Sequence, residues 1–254
     1  TDSRDVVHSV TEAFQLIQHG LNKLIRQPSL HTYEYVVSLV SNRFIRTSCC
    51  FGGIGSFGVG TDMVTAGSAA FIDEFYASPE TTPKPSPIQF SCEWTFEWDA
   101  KCQNELMKSP HPPRHLFGDI LGLLYHSDLK ALGLCDCREC RASGPPVPLP
   151  PAELRTRIPR LRVRRRLLCC IHESSCPDGC RIDTTHMHQC SSPCVHHSVR
   201  GSRAGNDGKN MIYHWVWLAL MRELMIALII FENVRAFGLD DFHEFHKIWA
   251  IPTS

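Results

Sequence analysis

The chain has 254 residues, of which 43% are hydrophobic, so it can bury a core as one sizeable domain with insertions or as two small domains. Its 26 basic residues balance its 26 acidic ones, so the net charge points neither to nucleic acid nor to acidic partners, and any basic surface must be local. Thirteen cysteines without a secretory leader favour reduced thiols, metal ligands or a catalytic thiol over a disulfide framework, and predict an intracellular protein.

Helical and strand-like patterns alternate along most of the chain. Apolar residues spaced three and four apart predict an N-terminal helical segment within residues 1–42. Strands are predicted over residues 43–50, 89–97, close to 117, 182–190 and 227–231, and helices over residues 99–108 and from 211 onward. This alternation predicts an α/β fold with a mainly parallel sheet in a second unit, residues 43–254.

The apolar stretch over residues 211–231 approaches the length of a membrane span. Arg222 and Glu223 lie at its centre, where charges are costly in lipid. We therefore expect a helix running into a buried strand and no membrane partner.

Residues of about 130–181 differ in composition and predict an insertion that is partly disordered. Seven arginines occur within residues 155–166, and they favour a solvated segment over a phosphate-binding or nuclear-targeting one. The same region holds the potential zinc ligands Cys135, Cys137, Cys140, Cys169, Cys170, His172, Cys176 and Cys180. Their spacings fit no standard zinc finger, so we predict no metal site, with a zinc-stabilised interaction module as an alternative.

Residues with chemical potential recur just beyond the predicted strands. A glycine-rich turn starts at Phe51, the acidic residues Glu97 and Asp119 follow the next two strands, and Cys194 and Glu232 follow the last two. Each has an ordinary alternative, such as a tight turn, a solvated loop, a helix N-cap or a small buried side chain. Because ligands bind beyond the carboxyl ends of parallel strands, the recurrence predicts a single site.

In order and local spacing, these motifs resemble the cytosine-C5 methyltransferase family. The matching segments are the turn at 51–55, Glu97-Trp98-Asp99, Asp119-Ile120, Pro193-Cys194 with Ser198, Gly201 and Gly205, and Glu232-Asn233-Val234. The resemblance implies a Rossmann-like fold that depends on S-adenosylmethionine. It assigns cofactor binding to Phe51, Gly52, Gly53, Ile54, Gly55, Glu97, Trp98, Asp119, Ile120 and Pro193.

The resemblance also implies the chemistry and the partner. Cys194 would be the nucleophile and Glu232 its acidic partner, while Ser198, Arg200, Arg203 and Asn233 would contact nucleic acid. A thiolate adding to carbon 6 of cytosine makes carbon 5 reactive toward a methyl donor. The expected substrate is DNA, in the nucleus if the organism is eukaryotic.

Two alternatives remain open beside DNA methylation. The same motifs occur in relatives that methylate transfer RNA, and a degenerate, non-catalytic remnant could retain only cofactor or nucleic-acid binding. The family's target-recognition part has no counterpart in residues 43–254. The sequence does not predict the oligomeric state.

Overall fold

In the computed structural model, the described residues are 44–51, 61–62, 64–66, 69, 88–142, 144–172, 175–176, 178–191, 210–226 and 228–231. In chain order, their elements are β1 (Phe44–Cys50), β2 (Gln89–Phe96), α1 (Ala100–Lys108), β3 (His115–Phe117), α2 (His126–Ala131), α3 (Arg138–Ala142), α4 (Pro151–Arg157), β4 (Arg166–Leu167), β5 (Cys180–Arg181), β6 (Met187–Cys190), α5 (Met211–Leu224) and β7 (Leu228–Phe231). Two 3-10 helices lie at Ile120–Leu123 and Ile158–Arg160. The predicted N-terminal helical segment lies outside the described residues.

Five strands form one parallel sheet in the order β3-β2-β1-β6-β7. This arrangement confirms the predicted α/β fold and each of the five predicted strands, with boundaries shifted by a few residues. The chain adds β2 and β3 on one side of β1, then returns to add β6 and β7 on the other. The strand order therefore reverses between β1 and β6, and this kind of switch point is where α/β sheets place their ligands.

Helix α5 contributes more buried residues than any other described element. Ten of its 14 residues are buried, among them Trp215 and Trp217, because apolar residues occupy most of its surface and the charged Arg222 and Glu223 are confined to its last turn. It ends at Met225, whose left-handed backbone (φ 51°) closes the helix. The apolar stretch is thus a helix followed by a strand, as predicted. The expectation that this strand is buried is wrong, because β7 lies at the end of the described sheet and none of its residues is fully buried. Among the described residues, no helix is both long and apolar enough to cross a membrane.

The Cys- and Arg-rich region is structured wherever the coordinates describe it, so the prediction of partial disorder is wrong there. Leu154, Ile158, Val163 and Leu167 are buried and belong to the main hydrophobic core. The arginines among them point outward or bond to backbone carbonyls of the same region. The prediction failed because it was based on the high arginine content, whereas apolar residues between the arginines are spaced so that they face the core.

A directional chain of hydrogen bonds holds a buried histidine inside the sheet. Trp217 Nε1 donates to His188 Nε2 at 2.9 Å, so His188 is the neutral tautomer with its proton on Nδ1. That proton is donated to Ser48 Oγ at 2.8 Å, and Ser48 in turn bonds Thr185 Oγ1 at 2.7 Å. The chain ends where Thr185 donates to the carbonyl of Met187 at 3.2 Å. When His188 is neutral, each donor and acceptor in this series of hydrogen bonds has a partner.

Candidate functional site

A cavity of about 480 Å³ lies at the carboxyl ends of β1, β2 and β3. Its volume is within the range of small-molecule sites. Its walls are Phe51, Phe96, Glu97, Trp98, Asp99, Cys102, Gly118, Asp119, Ile120, Ser191, Asn210 and Tyr213. The cavity therefore combines apolar and aromatic surface with a small number of acidic and polar groups.

Glu97 is a buried carboxylate, 5% exposed, at the end of β2. Its backbone N–H donates to the carbonyl of Phe117 on β3 at 3.0 Å, and its own carbonyl accepts from Gln103 Nε2 at 2.6 Å. Carboxylate Oε1 accepts from the backbone N–H of Asp99 at 2.9 Å. Sheet and helix bonds therefore fix an acidic acceptor against the cavity wall.

Asp99 turns the chain from β2 into α1 and thereby exposes Trp98. The Asp99 carboxylate caps the helix by accepting from the backbone N–H groups of Cys102 at 3.1 Å and Lys101 at 2.8 Å. These bonds, the one from Cys102 first, lower the pKa of the Asp99 carboxyl. Between the two acids, the Trp98 side chain is 71% exposed and lines the cavity. An exposed indole beside a fixed carboxylate can stack on a planar ring whose polar groups reach the acid.

Asp119 follows β3 and is both a helix N-cap and part of the cavity wall. Its Oδ1 accepts from the backbone N–H of Leu121 at 2.9 Å, which caps the 3-10 helix, and its side chain also lines the cavity. Across from it, burial and then the charge of Asp119 raise the pKa of the Tyr213 phenol. Tyr213 therefore stays protonated and available as a hydrogen-bond donor beside the acid.

Three residues of the far wall were missed by sequence reasoning: Ser191, Asn210 and Tyr213. Ser191 directly follows β6, and its N–H donates to the carbonyl of Cys50 at 3.2 Å. Its position beyond a strand was therefore a usable signal. Asn210 and Tyr213 belong to the start of α5, and no local pattern indicates that this helix end faces the cavity.

Five of the ten predicted cofactor residues line this one cavity: Phe51, Glu97, Trp98, Asp119 and Ile120. The other five, Gly52, Gly53, Ile54, Gly55 and Pro193, lie outside the described residues. So do the predicted catalytic pair, Cys194 and Glu232, and the predicted nucleic-acid contacts Ser198, Arg200, Arg203 and Asn233.

The described ends of β6 and β7 bear on the catalytic pair. Cys190 and Phe231, the last residues of these strands, are partners in the parallel register. Cys194 follows Cys190 by four residues, and Glu232 follows Phe231 directly. The two chain segments that carry the pair therefore leave neighbouring strands at the same edge of the sheet.

Every cysteine except Cys194 is described, and none of these twelve forms a disulfide bond. Cys49 and Cys50 are buried in β1, and desolvation raises their pKa well above the ordinary value. Burial likewise raises the pKa of Cys92 to about 11. Cys102 lines the cavity, but desolvation and then the charge of Glu97 raise its pKa. None of these four is an activated nucleophile, because the thiolate is the reactive form.

The arginine run contributes to a second cavity, of about 430 Å³. Its walls are Tyr125, Arg164, Arg165, Arg166, Asp178 and Arg181. Arg165 and Arg181 are held in place by Asp183, at 3.7 and 2.8 Å. With four guanidinium groups and one carboxylate on its walls, this cavity favours anions such as phosphate.

No protein-family model matches the sequence, and no curated protein matches it significantly.

Proposed function

We propose that this chain is the catalytic part of a cytosine-C5 methyltransferase that uses S-adenosylmethionine and acts on DNA. The observation that carries the proposal is the convergence of Phe51, Glu97, Trp98, Asp119 and Ile120 on one cavity. These residues come from three separate segments, and the resemblance had assigned all of them to one cofactor. The parallel sheet with its switch point is compatible with the Rossmann-like fold of such enzymes.

The chemistry of the cavity walls fits the cofactor. Glu97 offers a fixed carboxylate that would accept hydrogen bonds from the two ribose hydroxyls. The exposed indole of Trp98 would pack on the adenine ring, next to Ile120, which is 2% exposed. Asp119 would accept from the adenine amino group, with Tyr213 as a further donor opposite it.

In the proposed mechanism, the chain supplies a nucleophile and an acid, and S-adenosylmethionine supplies the methyl group. The Cys194 thiolate adds to carbon 6 of the cytosine ring, so electron density develops at carbon 5 and ring nitrogen 3. Glu232 shares a proton with nitrogen 3 and thereby stabilises that charge. After methylation and loss of the carbon-5 proton, the Cys194 sulfur leaves and the double bond re-forms. The neighbouring ends of β6 and β7 support placing this pair together.

The substrate must present an unstacked base, which requires a grip on the nucleic-acid backbone. The arginine-lined cavity offers such a grip, because guanidinium groups bind phosphate in a forked geometry. Backbone binding of this kind is salt-dependent and does not separate DNA from RNA.

Calorimetry with S-adenosylmethionine and its demethylated product tests the cofactor proposal. Glu97→Ala should weaken binding by about 1–3 kcal/mol, because two hydroxyl groups lose their acceptor. Glu105→Ala is the matched control, since that carboxylate lies on the following helix α1, outside the cavity, and pairs with Lys108 in solvent at 3.1 Å. Unchanged affinity in Glu97→Ala, or no binding by the intact chain, would overturn the cofactor site.

A trapping experiment tests the chemistry. DNA that contains 5-fluorocytosine should form a stable adduct with the chain in the presence of S-adenosylmethionine, because fluorine cannot leave as a proton does. Cys194→Ser should abolish the adduct and Glu232→Gln should slow its formation strongly. Cys170→Ser, which removes a partly exposed thiol outside the cavity, should leave trapping intact.

The trapping outcomes separate the alternatives. An adduct with fluorinated RNA and none with DNA would assign the chain to the RNA methyltransferases. Cofactor binding without any adduct would favour a non-catalytic remnant.

A further inference from the structure

We propose that the Cys-rich region binds two structural zinc ions, each held by four protein ligands. The inner cluster is His115, Cys169, His172 and Cys180, and the outer cluster is His126, Cys135, Cys137 and Cys140. In each cluster, the four potential ligand atoms lie within 4.8 Å of one another. Mixed thiol and imidazole ligands in sets of four are the preferred environment of structural zinc.

The inner cluster has the spacing of a tetrahedral site. Nδ1 of His172 lies 3.3 Å from Nδ1 of His115, 3.4 Å from Sγ of Cys169 and 3.5 Å from Sγ of Cys180. Tetrahedral zinc, with bonds of about 2.0–2.1 Å to nitrogen and about 2.3 Å to sulfur, separates two nitrogens by about 3.3–3.4 Å. It separates a nitrogen from a sulfur by about 3.5–3.6 Å. All three observed separations agree with these values to within about 0.2 Å.

Hydrogen bonding alone does not account for the inner cluster. An imidazole nitrogen carries either one hydrogen or one lone pair, so it makes one good hydrogen bond. Nδ1 of His172 has three such neighbours within 3.5 Å. A cation at the centre of the four atoms would engage every lone pair at once.

The outer cluster brings a cysteine-rich turn against the start of α2. His126 Nε2 lies 3.4 Å from Sγ of Cys137 and 4.0 Å from Sγ of Cys140. The backbone N–H of Cys140 donates to Sγ of Cys137 at 3.4 Å. A backbone donor to sulfur stabilises the thiolate that a metal requires, as outer-shell contacts do in metal sites.

The elements that carry the ligands need an additional link. Helices α2 and α3 have six and five residues and no fully buried side chain, although Leu129 of α2 packs against the core while partly buried. Helices this short gain little stability from propensity alone. Strands β4 and β5 have two residues each. Strands β4 and β5 pair in antiparallel orientation, and the inner site would tie this pair to β3 at the sheet edge. The outer site would tie α2 to α3. Metal sites compensate for missing core in this way in small folded units.

These sites would be structural. Four protein ligands leave no open position for water or substrate, which distinguishes structural from catalytic zinc. None of the eight residues lines the 480 Å³ cavity. The zinc proposal is therefore independent of the proposed methyltransferase activity, and either can fail without the other.

Metal analysis of the intact chain, purified without chelator, tests the proposal. We expect two zinc ions per chain by elemental mass spectrometry. Cys137→Ser and His172→Ala should each leave one ion, and the double variant none. Cys170→Ser is the matched control, because Cys170 neighbours a proposed ligand but belongs to neither cluster, and it should retain two ions. Fewer than two ions in the wild-type chain, or loss in the control alone, would overturn the proposal.

A second measurement needs no variant and so does not depend on variant folding. Cys137, Cys140 and Cys170 are all partly exposed. If zinc is bound, an alkylating reagent should modify Cys170 while sparing Cys137 and Cys140, and a chelator should remove that protection. Equal modification of all three thiols before chelation would overturn the outer site. Substitution by cobalt should give the visible absorption of tetrahedral thiolate coordination, and its absence would overturn both sites.

Discussion

Acid should destabilise this protein through His188, whose surroundings accept only the neutral imidazole. Trp217 donates to one ring nitrogen and Ser48 accepts from the other, and the residue is fully buried. Desolvation lowers the pKa of His188 to about 3 in the folded chain. In the unfolded chain, the same ring has an ordinary pKa of about 6.5.

The direction and size of the effect follow from these two pKa values. Below about pH 6.5 the unfolded chain binds a proton that the folded chain refuses, so unfolding becomes more favourable as the pH falls. The contribution of His188 is complete above the unfolded pKa and is lost progressively down to about pH 3. Between pH 7 and pH 5 the loss is about 2 kcal/mol, and over the whole window it approaches roughly 5 kcal/mol.

Urea unfolding at several pH values measures this contribution. His188→Gln removes the titrating ring, so the difference in unfolding free energy between pH 7 and pH 5 should shrink by about 2 kcal/mol. His111→Gln is the control, because the side chain of His111 is 76% exposed and its removal should leave the slope unchanged. If His188→Gln does not fold, Trp217→Phe should also flatten the slope, since it frees one ring nitrogen to accept a proton. The reasoning would be refuted if both variants kept the wild-type difference in unfolding free energy between pH 7 and pH 5.

Three further outcomes are expected. Gly133→Ala should lower the free energy of urea unfolding by about 2 kcal/mol or more, because φ is +69° and a Cβ would overlap the carbonyl oxygen of Val147. Gly144→Ala should lower it less, because a Cβ there, at φ +120°, would meet open space. Equal losses in the two variants would contradict the steric argument. Ser48→Ala should cost about 1–3 kcal/mol in the same assay, because the buried imidazole donor loses its acceptor. Trp98→Ala should change stability by less than about 0.5 kcal/mol yet weaken calorimetric binding of S-adenosylmethionine by about 1–3 kcal/mol, and unchanged affinity would remove Trp98 from the site.

Much of the architecture was readable from local pattern. Several strands end where the sequence changes from an aromatic residue to glycine or an acidic residue, as after Phe96, Phe117 and Phe231. The spacing of apolar residues and the residues that end an element are local properties of the sequence. For this reason β1 to β3, β6, β7 and the helix from Met211 were predicted within a few residues. The grouping of Glu97 and Asp119 also followed, because the carboxyl ends of parallel strands meet at one edge.

The ordered state of the Cys- and Arg-rich region was not predicted, because composition was averaged over it. The exposed Arg162 and Arg164 flank the buried Val163, and Leu154 and Ile158 are one helical turn apart. Apolar side chains with that spacing are buried only when a core is present for them to pack against. The core in question is built largely by α5 and the sheet, far along the chain.

Sequence by itself determined the positions of the strands and of the acidic residues that follow them, because these depend on neighbours within a few positions. The parallel sheet was inferred from the alternation of strands with helices. Only the tertiary structure decided which side chains meet across the chain. Tyr213 reaches the cavity because α5 packs beside the sheet, and His115 and His126 join cysteines that lie up to 65 residues later because the intervening chain folds back. Such meetings depend on long-range chain reversal, which carries no local periodicity, so spacing alone could not predict the two clusters.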